Sequence, residues 1–333
     1  MFMKRTALTK HFPLIGAIKS QPADPTLHNG ILAIVGISER AHLAVEGWDI
    51  IRNMALPRAT RDAIAKMPAA VKAWDDGHSR RLGDDKINIA TIAAEAYPVL
   101  QYAGAKASIT THLDYLSEAV RAATVAADDT MVSCVKIADG VAYSTDRYRL
   151  SRTPMGGTGQ DVVFLRPTTA LKRFLAKRKG AVHIGMGDDG KGRWTMIYHD
   201  GDILLQRIPD GDYPPTGQVE GQATTRVATM RAADLLPALK WAVAVHGKDN
   251  DNYPVTLCPA GRTMMVYASS YYGDILVRVP LRGIEKPAGR IAVNAQALAM
   301  LVTEDCNGEV AIGWDSAATP LTVGANMIMP LNI

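Results

Sequence analysis

One stretch of the sequence has the spacing of a phosphate-binding loop. Residues 185–192 read G-M-G-D-D-G-K-G, which matches the pattern G-x-x-x-x-G-K. In such a loop a Ser or Thr follows the lysine and holds Mg²⁺, and the loop joins a strand to a helix. Here Gly192 follows the lysine, and strand-like segments at 181–184 and 194–198 flank the loop. The pattern therefore predicts a hairpin turn, whose two aspartates would repel a phosphate.

Other side chains that commonly perform chemistry form no recognisable set. The eight histidines are scattered without the spacing of metal ligands. Cys134, Cys258 and Cys306 lie far apart and are odd in number, which favours reduced structural thiols. We therefore expect no enzyme activity, no cofactor and no metal. An enzyme acting on nucleic acid stays open as an alternative, because catalytic groups that meet only in space cannot be deduced from spacing.

Composition places the chain among soluble globular proteins. Its 333 residues suggest two or three domains, with 47% hydrophobic and 21% charged residues. No apolar run approaches the ~20 residues that cross a bilayer. Lys10 and His11 interrupt what would have to be the apolar stretch of a signal peptide, so we expect a cytoplasmic protein. The net charge of +4 is mild, so its distribution matters more than its total.

The basic residues cluster in one segment. Residues 168–179 are predicted to be a helix capped by Thr168, with Leu171 and Phe174 on its apolar face. No acidic residue occurs between Val162 and Gly187. This pattern favours sequence-independent contact with DNA phosphates over an ordinary solvated helix face. The candidate DNA-binding residues are Lys172, Arg173, Lys177, Arg178 and Lys179, with Arg58, Arg61 and Lys66 on an earlier predicted helix.

Three similar units follow one another along the chain. Each predicted unit opens with an amphipathic helix, continues into a hairpin and later has a second helix. The predicted helices are 8–20 and 60–73, then 111–127 and 168–179, then 231–246 and 294–303. The predicted hairpins are 31–37 with 42–54, 131–137 with 141–150, and one about Gly261. We expect three domains at 1–103, 104–221 and 222–333; a single long α+β chain with chance similarities is the alternative.

The final residues, M-I-M-P-L-N-I, form an apolar run. A contiguous exposed apolar patch usually marks a binding site. The other interpretation is an edge strand that completes a core. A second segment that could pair with this tail decides between the two.

Several segments together resemble the bacterial DNA sliding clamp, the β-type processivity ring. Residues 141–150, V-A-Y-S-T-D-R-Y-R-L, resemble the ATDGHRL strand of that family, with Arg147 and Tyr148 in place of its Gly and His. Residues 212–215 resemble its FPD loop, and the tail resembles its VVMPMRL ending. Residues 291–294 and 319–320 resemble its AFN and SP steps. The resemblance is good over 110–333 and only a matter of pattern over 1–103.

The resemblance implies an α+β fold of three tandem clamp domains, each with two helices packed on antiparallel sheets, that assemble into a ring. It implies a non-enzymatic protein that encircles duplex DNA and tethers the replicative DNA polymerase, the clamp loader and other partners through short linear peptides. A degenerate clamp that binds such partners without encircling DNA is the alternative within this family. The short first unit and the substitutions would suit a phage-encoded or accessory clamp.

The resemblance also assigns residues to two surfaces. In the family an apolar groove between the second and third domains receives partner peptides. Its residues here would be Val132, Thr145, Arg147, Tyr148, Arg149, Leu150, Pro214, Val219, Pro320, Met327, Ile328, Met329, Pro330 and Leu331. A head-to-tail homodimer would use Ala244 and Val245, at the end of helix 231–246.

Overall fold

The computed structural model of the chain describes most of its length. The described residues are 2–19, 21, 24–28, 31–46, 54–56, 58–67, 70–75, 80–83, 88–93, 106–126, 128–159, 161–216, 227–247, 252–284, 289–305 and 308–331. Over these residues, no helix is long and apolar enough to cross a membrane. The fold combines helices with large antiparallel sheets, which confirms the α+β prediction.

The elements follow in chain order. The helices are α1 Arg5–Thr9, α2 Phe12–Ala17, α3 Arg58–Lys66, α4 Leu113–Ala122, α5 Thr169–Leu175, α6 Ala232–His246 and α7 Ala295–Asp305, with a 3₁₀ turn at Met131–Ser133. The first strands are β1 Phe2–Lys4, β2 Thr26–His28, β3 Ile31–Val35, β4 Glu39–Ala44, β5 Met54–Ala55, β6 Ala70–Asp75, β7 Arg80–Gly83, β8 Asn88–Ala93, β9 Lys106–His112, β10 Val135–Ala138, β11 Val141–Thr145 and β12 Arg149–Pro154. The later strands are β13 Gly157–Thr158, β14 Val163–Leu165, β15 Ala181–Asp188, β16 Arg193–His199, β17 Asp202–Arg207, β18 Val227–Arg231, β19 Pro254–Ala260, β20 Thr263–Ser270, β21 Gly273–Ile284, β22 Ile291–Asn294, β23 Glu309–Gly313, β24 Leu321–Val323 and β25 Asn326–Ile328.

The first of two compact units comprises residues 1–121, 129–140 and 154–211. Among its described strands, thirteen form one sheet in the order β1-β6-β7-β8-β5-β2-β3-β4-β17-β16-β15-β9-β13. Helix α5 buries Leu171 and Phe174 in this unit, because its apolar residues recur at helical spacing. The hydroxyl of Thr168 accepts the N–H of Leu171 over 3.2 Å, which confirms the predicted cap.

The second unit comprises residues 122–128, 141–153 and 212–333. Its described strands follow one another in the order β11-β12-β25-β24-β23-β18-β21-β20-β19-β22. Helices α6 and α7 pack together and cover a core that contains Leu239, Leu298 and Trp314, all fully buried. Asn294 caps α7, since its side-chain oxygen accepts the N–H of Ala297 over 2.9 Å. The helices predicted at 231–246 and 294–303 are confirmed almost to the residue as α6 and α7.

Four predicted helices were wrong at their ends. The helix predicted at 8–20 is divided in two: α1 ends at Thr9 and α2 spans Phe12–Ala17, with Pro13, which lacks an N–H, in its first turn. Residues 70–75 form β6, paired with β1, so the helix predicted at 60–73 ends at Lys66. The helix predicted at 111–127 spans only 113–122, since 106–112 is strand β9. The helix predicted at 168–179 ends at Leu175. Lys177 has a left-handed φ of 64°, which is incompatible with a right-handed helix.

The predicted hairpin at 181–198 is confirmed as β15 and β16. The carboxylates of Asp188 and Asp189 accept the N–H groups of Gly190 and Lys191 over 2.7 and 2.9 Å. These backbone groups would have to bind phosphate in a nucleotide site, and they are already occupied. The predicted domain boundaries near 103 and 221 fall outside the described residues, so the three-domain division stays a prediction.

Candidate functional site

The tail lies directly beside the segment that contains Tyr148. Strand β25 pairs antiparallel with β12, so that Arg149 lies opposite Ile328 and Leu150 opposite Met327. The Met329 N–H then donates to the carbonyl oxygen of Tyr148 over 2.8 Å. The Leu331 N–H donates to the carbonyl oxygen of Ala292, also over 2.8 Å. Main-chain hydrogen bonds therefore hold the tail in an extended form at the surface of the second unit.

The loop before β12 is built by side chains that accept backbone hydrogen bonds. The carboxylate of Asp146 accepts the N–H groups of Tyr148 and Arg149 over 3.1 and 2.8 Å. Its second oxygen lies 2.7 Å from the guanidinium of Arg149. The hydroxyl of Thr145 accepts the N–H of Arg147 over 3.1 Å. These bonds fix the loop and explain why Thr, Asp and Arg occur together in its motif.

Arg147 has an unusual backbone conformation within this loop. Its φ is 78°, in the left-handed region, which costs a residue with a side chain roughly 1–2 kcal/mol. The resemblance aligns this position with a glycine, the residue for which such a φ is not strained. The guanidinium of Arg147 lies 2.7 Å from the carboxylate of Asp128. An exposed ion pair of this kind stabilises a fold by at most about 1 kcal/mol.

The predicted groove residues differ in how much of each reaches the surface. Tyr148 and Met329 are 53% and 39% exposed, so both present apolar surface to solvent. Arg149, Pro214, Pro330 and Leu331 are half-buried. Thr145, Leu150, Pro320 and Met327 are buried. Leu150 and Met327 pack with Tyr143 in a small separate cluster. They would therefore affect a surface ligand by supporting the exposed side chains above them.

Ile328 is a correction to the predicted surface. Its side chain is fully buried and belongs to the main core of the second unit. Neighbouring side chains of a strand point to opposite faces, so Ile328 faces the core while Met327 and Met329 face away from it. Val132 is buried within the first unit. Val219, Asn332 and Ile333 lie outside the described residues.

Sequence reasoning missed Met300 on α7. Its side chain is 44% exposed, and the guanidinium of Arg149 donates to its sulfur over 3.4 Å. Methionine side chains adapt to several ligands because they are flexible and polarizable. No signal in the sequence could have identified it, because Met300 reaches Arg149 only through the packing of α7 in the folded unit.

The basic segment of the first unit is exposed except at one position. Lys172, Arg173, Lys177 and Lys179 are exposed to solvent. Arg178 is a correction to the predicted DNA-binding set: its guanidinium lies 2.5 Å from the carboxylate of Asp202 and stacks on the ring of Phe174. Its side chain is only 18% exposed, so Arg178 stabilises the fold instead of offering its charge to a ligand.

A cavity of about 400 Å³ opens beside this basic segment. Its lining includes Lys10, His11 and Arg173. His11 is buried, and its Nε2 lies 3.1 Å from the carbonyl oxygen of Ala44. Burial lowers the pKa of His11 to about 4, with the charges of Lys10 and Arg178 adding to that effect and Asp202 opposing it. His11 is therefore neutral at physiological pH, and the positive charge here comes from Lys and Arg.

Helix α3 offers a weaker basic surface. Arg58 and Lys66 are exposed, and Arg61 is half-buried. Asp62 lies 3.9 Å from Arg58, so one of these charges is partly offset. At the opposite end of this helix the guanidinium of Arg5 donates to the carbonyl oxygen of Ala65 over 3.0 Å. The exposed cations of α3, Arg58 and Lys66, are therefore fewer than the four exposed cations of the segment 172–179.

The residues predicted for the dimer contact lie at the end of α6. Ala244 is exposed, whereas Val245 is half-buried against the core of its own unit. Three exposed aromatic residues occur in the same part of the second unit: Trp241, Tyr271 and Tyr272 are 56%, 98% and 67% exposed. The hydroxyl of Ser270 donates to the carbonyl oxygen of Val245, which fixes the β20–β21 turn against the end of α6. Sequence reasoning missed these aromatic residues.

The described residues include no recognisable metal centre and no activated thiol. Within them, no group of three or more His, Cys, Asp or Glu side chains is placed to hold a metal ion. Cys134 and Cys258 are free thiols, and burial raises the pKa of Cys134 to about 11. A thiol with so high a pKa is a poor nucleophile.

No family model matches the chain. Solved structures do match it along its whole length. The DNA polymerase sliding clamp from Bacillus subtilis superimposes with a TM-score of 0.78 at 16% identity, covering 100% of this chain and 98% of that one. The β subunit of DNA polymerase III from Thermotoga maritima gives 0.75 at 14% identity, with 100% and 99% covered. The sliding clamp from Bartonella birtlesii, bound to griselimycin, gives 0.77 at 13% identity, with 100% and 99% covered. The chain therefore has the fold of the bacterial DNA polymerase sliding clamps, as its motifs predict.

Proposed function

We propose that the chain is a DNA sliding clamp, which encircles duplex DNA and tethers the replicative polymerase without catalysing a reaction. The observation that carries this proposal is the match of its entire length to sliding clamps with a TM-score of up to 0.78. A ring protein is defined by the geometry of the whole chain, and not by a local site. A match that covers all of the chain is therefore the relevant kind of evidence.

The exposed cations in and after α5 would face the duplex. A clamp must hold an acidic polymer without reading its sequence, which calls for Lys and Arg directed at phosphates and few groups directed at bases. Lys172, Arg173, Lys177 and Lys179 meet this requirement because they are exposed and lie close together in sequence. Arg58 and Lys66 would contribute from α3.

The surface around the tail would bind partner peptides. It combines exposed apolar side chains, Tyr148, Met300 and Met329, with the rigid loop that Asp146 organises. A peptide from a polymerase or a clamp loader would lie as an extended segment across these side chains, with alternate residues facing the protein. The Bartonella birtlesii clamp was solved with griselimycin bound, which supports ligand binding by a chain of this fold.

Two copies of the chain would close the ring as a head-to-tail homodimer in the cytoplasm. The three predicted domains of one chain are too few to surround a duplex, whereas the six of two chains suffice. The exposed Trp241, Ala244, Tyr271 and Tyr272 supply the aromatic surface that stable interfaces favour. Aromatic residues so exposed on one unit indicate a surface that a second copy would cover.

Primer extension tests the proposal. A replicative polymerase with its clamp loader should synthesise products many-fold longer on a primed circular template when the protein is present. The same reaction without the loader controls for direct stimulation of the polymerase. Products of unchanged length, with peptide binding intact, would instead favour a degenerate clamp that does not encircle DNA.

A further inference from the structure

The hydrogen bonds that hold its loop strain the backbone of Arg147. Thr145 and Asp146 hold the loop by accepting the N–H groups of residues 147, 148 and 149, and they thereby impose the left-handed φ of 78° at Arg147. Glycine would adopt this conformation without strain. A side chain that is retained in a disfavoured conformation indicates a functional constraint. The guanidinium is the part of the side chain that makes a specific contact, with Asp128, since the remainder adds only flexible bulk.

The guanidinium is placed to bind a second anion. It is 58% exposed, and among the described residues its side chain bonds only to Asp128, through one terminal nitrogen. A guanidinium has five N–H donors, so several of its donors stay available to a ligand. Asp128 orients the guanidinium through an ion pair that is weak because it lies at the surface. This arrangement presents a partly ordered cation to solvent.

The surroundings of Arg147 favour an acidic ligand. The neighbouring Tyr148 is exposed, and its carbonyl oxygen holds the tail at Met329. The segments 122–128 and 141–153, which form this part of the unit, contain three arginines and two aspartates, so their net charge is +1. Arg149 bonds to Asp146 and Met300 and its side chain is only 12% exposed, and Arg152 is half-buried, so Arg147 is the most exposed of these three arginines. An anion beside Tyr148 would therefore meet Arg147 first.

We propose that Arg147 selects partner peptides that carry an Asp or Glu next to the apolar residues that occupy the surface around the tail. The carboxylate would bind the outward donors of the guanidinium in charge-assisted hydrogen bonds, while Asp128 holds the group from the other side. This inference rests on the proposed function, because it requires that the surface binds peptides. It adds the chemistry by which one peptide is preferred over another.

Fluorescence anisotropy with a set of labelled peptides tests the inference. The probe is a clamp-binding peptide of a replicative polymerase, made in versions that carry Asp, Asn or Lys at each polar position in turn. At about 0.1 M salt, one position should show at least 5-fold tighter binding of the Asp version than of the Asn version. The Lys version at that position should bind most weakly. The preference should shrink as salt rises, because both charges lie near the surface.

Four variants separate charge from shape. Arg147→Gly restores the residue that suits the backbone, and Arg147→Gln keeps most of the volume without the charge. Both should bind the Asp and Asn versions with equal affinity. Asp128→Asn keeps an amide oxygen that can accept from the guanidinium but removes the competing negative charge, so it should increase the preference for Asp. Arg282→Gln is the matched control, since Arg282 is also an exposed arginine in an ion pair, with Glu309, and its loss should change nothing.

The outcomes distinguish the inference from the proposed function. If the wild-type protein binds no version, the peptide surface itself is wrong. If it binds all versions with equal affinity at every position, the surface stands and the role of Arg147 is wrong. A preference for Asp that persists in both Arg147 variants would also overturn the inference, because another cation would then be responsible. Thermal unfolding of each variant shows whether it is folded.

Discussion

The N–H of Met329 donates to the carbonyl oxygen of Tyr148, and this bond joins the apolar tail to the loop that the DNA-clamp motif defines. The two residues are far apart in sequence, yet both expose apolar side chains on the same unit. Their contact converts two separate sequence motifs into one surface. The proposed binding of peptides at the tail rests on this contact.

Deletion of residues 329–333 should abolish binding of a clamp peptide. The deletion removes Met329, Pro330 and Leu331 from the surface but leaves Ile328 in the core, so the loss of stability should be modest. Calorimetric titration with the peptide measures the first effect, and thermal unfolding measures the second. A truncated protein that binds the peptide as tightly as the wild type would show that the tail only completes the fold.

Leu150→Ala should affect both stability and binding. Leu150 is 6% exposed and packs with Tyr143 and Met327 beneath the surface, so the cavity should cost about 2–4 kcal/mol of stability. We expect the peptide affinity to fall by roughly 1–3 kcal/mol as the surface above the cavity relaxes. Ile328→Val is the control, since it removes one methylene from the core and should leave peptide affinity unchanged. If Leu150→Ala binds the peptide as tightly as Ile328→Val does, Leu150 does not contribute to the peptide surface.

Changing Lys172, Arg173 and Lys177 together to Gln should weaken DNA binding without altering the fold. The logarithm of the affinity falls with the logarithm of salt by about 0.9 for each phosphate contact. The slope should therefore be shallower by roughly 2–3 in the triple variant. Arg178→Gln is the contrasting variant, because its pairing with Asp202 predicts a loss of stability and a nearly unchanged slope. A triple variant with the wild-type slope would mean that this surface faces away from DNA.

Trp241→Glu combined with Ala244→Glu should produce monomers. Both residues are exposed, so the charges are tolerated in the single chain but would be buried without partners in a dimer. Val245 is left unchanged, because it packs against its own core and a charge there would disturb the fold. Light scattering at micromolar concentration gives the mass. A wild-type protein that is entirely monomeric at that concentration contradicts the proposed ring.

His11 should make stability depend on pH below neutrality. Its pKa is lowered to about 4, mainly by burial, from an ordinary value of 6.5. The unfolded chain therefore binds the proton more readily, so the contribution of His11 is complete above about pH 6.5 and is lost as pH falls toward 4. Between about pH 7 and pH 5 we expect a loss of roughly 1–2 kcal/mol. Urea unfolding at the two pH values measures it, and His11→Gln should show a smaller loss. Equal losses in both proteins would assign the effect to other groups.

The sequence predicted the elements that local patterns determine. Thr168 and the apolar residues at helical spacing identified α5, and the motif around Asp146 identified the loop that fixes Arg147. What it could not predict depends on distant residues. Arg178 was predicted to face solvent, but in the fold it pairs with Asp202. Met300 could not be predicted, because it joins this surface only through its contact with Arg149.

The other errors also arise from the packing of the folded chain. A helical pattern continues through 60–73, but residues 70–72 pair with β1 at the start of the chain, and this pairing overrides the local preference. The alternation of a strand likewise places Ile328 in the core, although its neighbours face away from it. The apolar character of the tail could be predicted from composition. The side chains that reach solvent could not.

Retention on circular DNA shows whether the protein forms a ring around the duplex. The protein is loaded on a nicked circular plasmid by a clamp loader, separated from free protein by gel filtration, and then divided into two portions, one of which is linearised with a restriction enzyme. We expect two protein chains per ring to stay with the circular DNA. The linearised DNA should lose them within minutes, because a ring slides off a free end. Equal retention on both forms, or release from both, would contradict a ring that encircles the duplex.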